Sequence, residues 1–248
     1  MTGTKQDKAK EAESVYAGGS TIIKAPHFVL SVVDELVEEY SEDFLRTNGL
    51  KVYTTLDWEL QEFAQDAMDI YAPYNSNFNA NNAAFVAIDP NTGEILAMMG
   101  SKDWHGEPYP EGCSPGVNCL FDPKLNIITH HQGRQPGSSF KPFVYAQAFI
   151  KGATDETTVI DEETNFGIWG DEEYIPQNYD EIFRGEVTLR EALSQSLNVP
   201  AVKVLDEIAG LQDSITFARE LGITTLRKNA SFYGLSLVLG GGEVRPID

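Results

Sequence analysis

The chain has 248 residues, 42% of them hydrophobic, enough for one good domain or two small ones and too apolar for wholesale disorder. Its formal net charge of −20 argues against nucleic acid, whose phosphates would repel it, and otherwise reads as a solvated acidic surface. No run approaches the roughly 18 to 20 apolar residues of a membrane span, and the polar start carries no signal peptide.

Residues 1 to 21 are polar, rich in Gly, Lys and Glu, and lack an apolar period, so they read as a flexible lead-in. The next segment predicts one helix from about Phe28 to Arg46. Leu50 to Thr54 alternates as a strand, and Asp57 caps a helix through about Tyr71. Its apolar positions Leu60, Phe63, Ala64, Ala67 and Ile70 follow a helical period. Ala83 to Asp89 and Glu94 to Met99 read as two strands joined by a turn at Pro90-Asn91-Thr92-Gly93.

An irregular stretch from 101 to 137 leads to Gly133-Arg134-Gln135-Pro136-Gly137-Ser138-Ser139-Phe140-Lys141-Pro142-Phe143. Here a serine hydroxyl and a lysine amine stand three residues apart, so that on a helix Lys141 reaches back toward Ser138 while Ser139 points elsewhere. A serine needs a neighbouring base to become a nucleophile, and a lysine whose pKa is depressed by burial or a nearby cation can be that base. A bare S-x-x-K turns up about once by chance in a chain of this size. In the plainer reading Ser138 is a helix cap and Lys141 a solvated residue. Lys141 to Ile150 predicts a buried helix through Phe143, Val144, Ala146, Ala148 and Phe149.

Residues 152 to 186 read as acidic loops, with charge concentrated at Asp155-Glu156, Asp161-Glu162-Glu163 and Asp171-Glu172-Glu173. Thr188-Leu189-Arg190-Glu191 is a capping box. It opens a helix ending near Ser196, after which Pro200 starts another; Gly210 and Gly222 close that helix and the next. A helix-rich middle after an early strand pair predicts an α+β domain.

A second motif, Ser196-Leu197-Asn198, follows the first by 58 positions (196 − 138). With it, the sequence resembles the penicillin-binding proteins, serine transpeptidases that share with class A β-lactamases the signature set S-x-x-K, S-D-N and K-T-G, the second with a variable middle residue in the transpeptidases. Leu197, in place of the Asp of class A β-lactamases, leans toward the transpeptidases. The resemblance to the class A, bifunctional members extends over roughly residues 22 to 248. It is carried by Ile23-Lys24-Ala25-Pro26-His27-Phe28-Val29, Gly49-Leu50-Lys51-Val52-Tyr53-Thr54-Thr55-Leu56-Asp57, Ala87-Ile88-Asp89-Pro90-Asn91-Thr92-Gly93-Glu94-Ile95-Leu96-Ala97 and Tyr174-Ile175-Pro176-Gln177-Asn178-Tyr179-Asp180.

The resemblance implies a β-lactamase/transpeptidase-like fold, an antiparallel sheet flanked by helices. Residues 1–48 would be a lead-in and connector helix from a glycosyltransferase domain absent here, and 49–248 the N-terminal part of the transpeptidase domain. No Lys-Thr-Gly or Lys-Ser-Gly occurs in the 248 residues, so the resemblance implies a fragment that stops before the C-terminal strands.

By motif, Ser138 is the nucleophile that attacks a D-Ala-D-Ala stem peptide and Lys141 the base. Ser196 would relay a proton to the leaving amine, and Asn198 would bind the substrate amide. The implied partners are peptidoglycan stem peptides and β-lactams, with no nucleic acid. The implied location is the outer face of the bacterial cytoplasmic membrane, reached only through the absent N-terminal segment. In such a compartment Cys113 and Cys119, flanking a turn-rich loop, suggest a small disulfide; two isolated thiols is the other reading. His105, His130 and His131 show no metal-ligand spacing with the cysteines, so neither metal nor cofactor is expected. Two alternatives remain at this stage: a D,D-carboxypeptidase or β-lactamase-like hydrolase, and a non-catalytic penicilloyl-binding or scaffold module.

Overall fold

A computed structural model describes residues 23–169 and 172–248; the expected lead-in at 1 to 21 lies outside the described residues. The described residues divide into two compact units, one up to His130 with Ile247, the other 131–246 with Asp248.

In the first unit, helices α1 (Pro26–Tyr40) and α2 (Glu42–Asn48) replace the single helix expected from Phe28 to Arg46. The break falls at Ser41, whose φ is 72°. Glu38 and Glu42, and Glu39 and Asp43, place like charges four residues apart, a spacing that weakens a continuous helix. The strand expected at Leu50 to Thr54 does not form. Leu50, Val52 and Tyr53 are exposed, and Thr55 and Asp57 bond to strand β2 (Ile95–Met99). The Thr55 hydroxyl donates to the Ile95 carbonyl at 2.6 Å, and the Asp57 N–H to that of Leu96 at 2.8 Å.

Helix α3 (Trp58–Asn75) starts where Asp57 accepts the Leu60 N–H at 3.3 Å. It turns a different face inward from the one its apolar spacing suggests: Gln61, Ala64 and Ala72 are buried, whereas Phe63 and Ile70 are 71% and 59% exposed. The cause is Gln61. Its amide accepts the Met98 N–H at 2.9 Å and donates to the Met98 carbonyl at 3.4 Å, completing the outer edge of β2 with a side chain. A buried backbone pair left open would cost more than one hidden phenylalanine returns. Strand β1 (Phe85–Ile88) pairs antiparallel with β2, with a register shift between Ala87 and Ile88. Ala25, Phe28, Met98 and Ile128 form the local core. Cys113 and Cys119 are disulfide-bonded, with Cα atoms 5.2 Å apart.

The second unit has the larger core. Helix α4 (Lys141–Ile150) buries Lys141, Val144, Tyr145, Gln147 and Ala148, while its end, with Phe149 41% and Ile150 65% exposed, reaches the surface. The stretch read as acidic loop contains strands β3 (Thr158–Asp161), β4 (Ile168–Trp169) and β5 (Glu172–Glu173), and leads into β6 (Gly185–Thr188). β3 pairs with β6 and β4 with β5, both antiparallel. Along β3 the alternation turns Val159 and Asp161 inward, so Asp161 is a fully buried carboxylate and not part of a solvated run.

Helix α5 (Leu189–Ser194) opens on the capping box, with both the Thr188 and Glu191 hydrogen bonds present. Helix α6 (Asn198–Lys203) begins two residues before Pro200, which occupies its third position. There a missing N–H still costs nothing, because the first turn has no intrahelical acceptor. A π-turn, Val204–Ala209, ends at Gly210 (φ 79°), followed by α7 (Leu211–Glu220) and the short α8 (Ala230–Tyr233). Among the described residues no helix is long and apolar enough to cross a membrane.

Candidate active site

Ser138 stands on a 3-10 turn, Gly137–Phe140, that feeds directly into α4. Pro136 (φ −75°) sets the approach and Gly137, at φ 59°, makes a bend that a side chain would strain. Phe140, 1% exposed and stacked on Phe143 at 5.4 Å, anchors the turn from beneath, leaving Ser138 and Ser139 in solvent. On the other side passes Gly240, with φ 91°. A Cβ there would lie 2.2 Å from the Gly137 nitrogen and 2.5 Å from its Cα.

Lys141, the first residue of α4, is fully buried. Its ammonium donates to the Ser196 carbonyl at 2.6 Å, the Ser196 hydroxyl at 3.1 Å and the Asn198 side-chain oxygen at 2.9 Å. The structure therefore joins Lys141, Ser196 and Asn198. It does not make the bond that the three-residue spacing predicts between Lys141 and Ser138; among the described residues no hydrogen bond of the Ser138 hydroxyl to Lys141 is formed. A lysine has three N–H donors, and here all three are taken by the second motif. Burial lowers the Lys141 pKa to about 8, because a low-dielectric site penalises the ammonium and favours the neutral amine.

The second motif is a sharp turn between α5 and α6. Ser196 takes φ 55°, in the left-handed region rarely adopted by a residue with a side chain. Leu197 points into the core, 3% exposed, among residues of α4 to α6. That placement explains an apolar residue at the centre of the motif: Ser196 and Asn198 face Lys141 because the residue between them faces the other way.

Two residues that sequence reading passed over hold this turn. The Asn178 side-chain oxygen accepts the N–H groups of Asn198 and Val199 at 2.9 and 3.3 Å. Its amide group donates to both oxygens of Asp161 at 2.9 Å and to the Ile182 carbonyl at 2.9 Å. Asp161 also accepts the Arg184 N–H at 3.0 Å, and Asn198 donates to the Gln177 carbonyl at 2.8 Å. The signal for Asp161 was the alternation of Thr158-Val159-Ile160-Asp161; that for Asn178 was its place in a matching stretch read only as resemblance. Among the described residues no cluster of His, Cys, Asp or Glu is placed to hold a metal ion.

Residues 83–240 match the penicillin binding protein transpeptidase domain. Penicillin-binding protein 2D of Bacillus subtilis is 33% identical over 230 residues, which is 91% of this chain and 30% of that protein. Penicillin-binding protein 1A of Aquifex aeolicus is 33% identical over 165 residues, covering 66% and 20%. The chain thus spans a third or less of the length of these relatives. Among solved structures, penicillin-binding protein 1A from Haemophilus influenzae superposes with a TM-score of 0.55 at 26% identity, over 67% of this chain and 22% of that one. PonA1 from Mycobacterium tuberculosis in complex with penicillin V superposes with a TM-score of 0.66 at 22% identity, covering 91% and 57%. The α+β fold is that of these transpeptidase domains.

Proposed function

Because the chain belongs to the penicillin-binding protein transpeptidase family, we propose that it serves as a serine D,D-transpeptidase that cross-links peptidoglycan stem peptides outside the bacterial cytoplasmic membrane. The observation that carries this reading is the buried Lys141 ammonium held on Ser196 and Asn198, on the residue that follows the exposed turn presenting Ser138.

In this mechanism neutral Lys141 takes the proton of the Ser138 hydroxyl as its oxygen attacks the penultimate D-Ala carbonyl. The carbonyl–nitrogen bond to the last D-Ala breaks, and that nitrogen receives the proton through the Ser196 hydroxyl. An amine from a second stem peptide then attacks the Ser138 ester, expelling the serine oxygen, which regains a proton. Asn198 holds the donor peptide by its amide backbone. A β-lactam enters the first half of the same sequence and stays as the acyl-enzyme. The oxyanion needs preorganised N–H donors, each worth about 2.7 to 4 kcal/mol where measured, and the Ser138 N–H is one candidate.

Intact mass after incubation of the complete gene product with penicillin tests the assignment. One penicilloyl adduct is expected in the wild type and none in Ser138→Ala. An adduct that survives that substitution, on Ser139 for instance, overturns it. Supplying a D-amino acid acceptor separates transfer from hydrolysis: exchange product supports the transpeptidase, and free acid alone supports a carboxypeptidase or β-lactamase.

A further inference from the structure

We infer that Asp161 and Asn178 act as a positioning pair for the second motif, setting the turn that aims Ser196 and Asn198 at Lys141. The inference rests on the reading of Ser138 and Lys141 as nucleophile and base.

Its ground is the geometry of one buried chain of hydrogen bonds. Asn178 is 3% exposed and Asp161 fully buried, and among the described residues no salt bridge to Asp161 is formed. A carboxylate removed from water without an ionic partner is costly unless its lone pairs are filled. Here they are filled by both bonds from the Asn178 amide and one from the Arg184 N–H. This fixes the orientation of the Asn178 amide, because its NH2 must face the acid and its oxygen must face the other way. That oxygen then meets the N–H groups of Asn198 and Val199, the first two residues of α6. Neither has an acceptor within its own helix. No side-chain cap is supplied by Leu197, so Asn178 does from a distance of 20 residues (198 − 178) what a local cap does elsewhere.

The position so held is a strained one. Ser196 at φ 55° adopts a conformation that persists only where surrounding contacts enforce it. Asn178 fixes the residue two positions after it, and Lys141 grips its carbonyl. Without Asn178 the turn can relax, which withdraws the Asn198 oxygen from Lys141 and admits water to a buried ammonium. Neither residue touches the reacting atoms, so the role is positioning and not catalytic.

The test compares Asn178→Ala, Asp161→Asn and the exchange Asp161→Asn/Asn178→Asp in the complete gene product. Acylation by a chromogenic β-lactam is followed against pH, with rates expressed per site titrated by penicillin, so that a smaller folded fraction does not register. Both single variants are expected to acylate about 100-fold more slowly, the scale of a 1 Å misplacement. Their pH midpoint should depart from about 8, because the acceptors and the water around the ammonium both change. The exchange keeps one acid and one amide face to face and is expected to recover about ten-fold of the loss, as coupled neighbours do. A wild-type rate and midpoint per site in Asn178→Ala overturns the inference. If that variant does not fold, the same result in Asp161→Asn overturns it. Failure of the wild type itself to acylate at Ser138 would instead refute the catalytic reading on which the pair depends.

Discussion

At the scale of single residues, Lys141 is in the wrong protonation state for the task proposed for it in most molecules at neutral pH. With a pKa near 8, about one site in ten carries the neutral amine at pH 7, and the rest hold an ammonium that only donates. Acylation of Ser138 should therefore rise with pH and level off above about 8, as followed with a chromogenic β-lactam. Lys141→Ala is expected to lower the rate by about 10² to 10⁴-fold, the usual span for a lost general base. Lys141→Arg should not restore it, since guanidinium keeps its proton. Lys141, Ser196 and Asn198 were legible in the sequence as candidates; the hydrogen bonds that join them were not. The three-residue spacing pairs Lys141 with Ser138, yet long-range acceptors from a turn 55 positions on (196 − 141) satisfy all its donors, and no local rule reports such a competitor.

Among the elements, those specified by local chemistry appeared where the residues placed them. The α5 capping box is one, and the β1–β2 hairpin another. Elements decided by tertiary contacts did not: Leu50 to Thr54 is not a strand, and α3 follows its glutamine instead of its phenylalanine. β3 and β6 were hidden because turns and acids dominate the composition around them. Thr188→Ala removes the α5 cap and should cost about 1 kcal/mol of stability, measurable by urea unfolding. Since α5 ends two residues before Ser196, a smaller loss of acylation per folded site should accompany it.

For the molecule as a whole, stability should follow the protonation of His27. The ring is 4% exposed, set edge-on to Trp104 at 4.8 Å, and burial lowers its pKa to about 4 with the Lys124 charge adding to the effect. The unfolded chain binds a proton below about 6.5 that the folded chain refuses until about 4. Stability is thus fully present above 6.5 and falls as the pH drops through that window. Urea midpoints taken across it should decline, and His27→Phe should flatten the decline. A net charge of −20 adds self-repulsion above the carboxylate range, so salt should raise the melting temperature at neutral pH.

The close passage of Gly240 over Gly137 ties the tolerance of one codon to the work of another. Read along the chain, position 240 lies 102 residues from Ser138 (240 − 138), the proposed nucleophile, and carries no reactive group. Even a methyl group there would meet the backbone of the Ser138 turn and would need a φ of 91° that alanine resists. In a saturation library scored by penicillin labelling, position 240 should thus be as barren as position 138 itself. Gly240→Ala should label poorly even where circular dichroism shows the helices intact. A lineage under drug pressure could explore the rim of this site freely, but at this one remote glycine it would find no silent step to take.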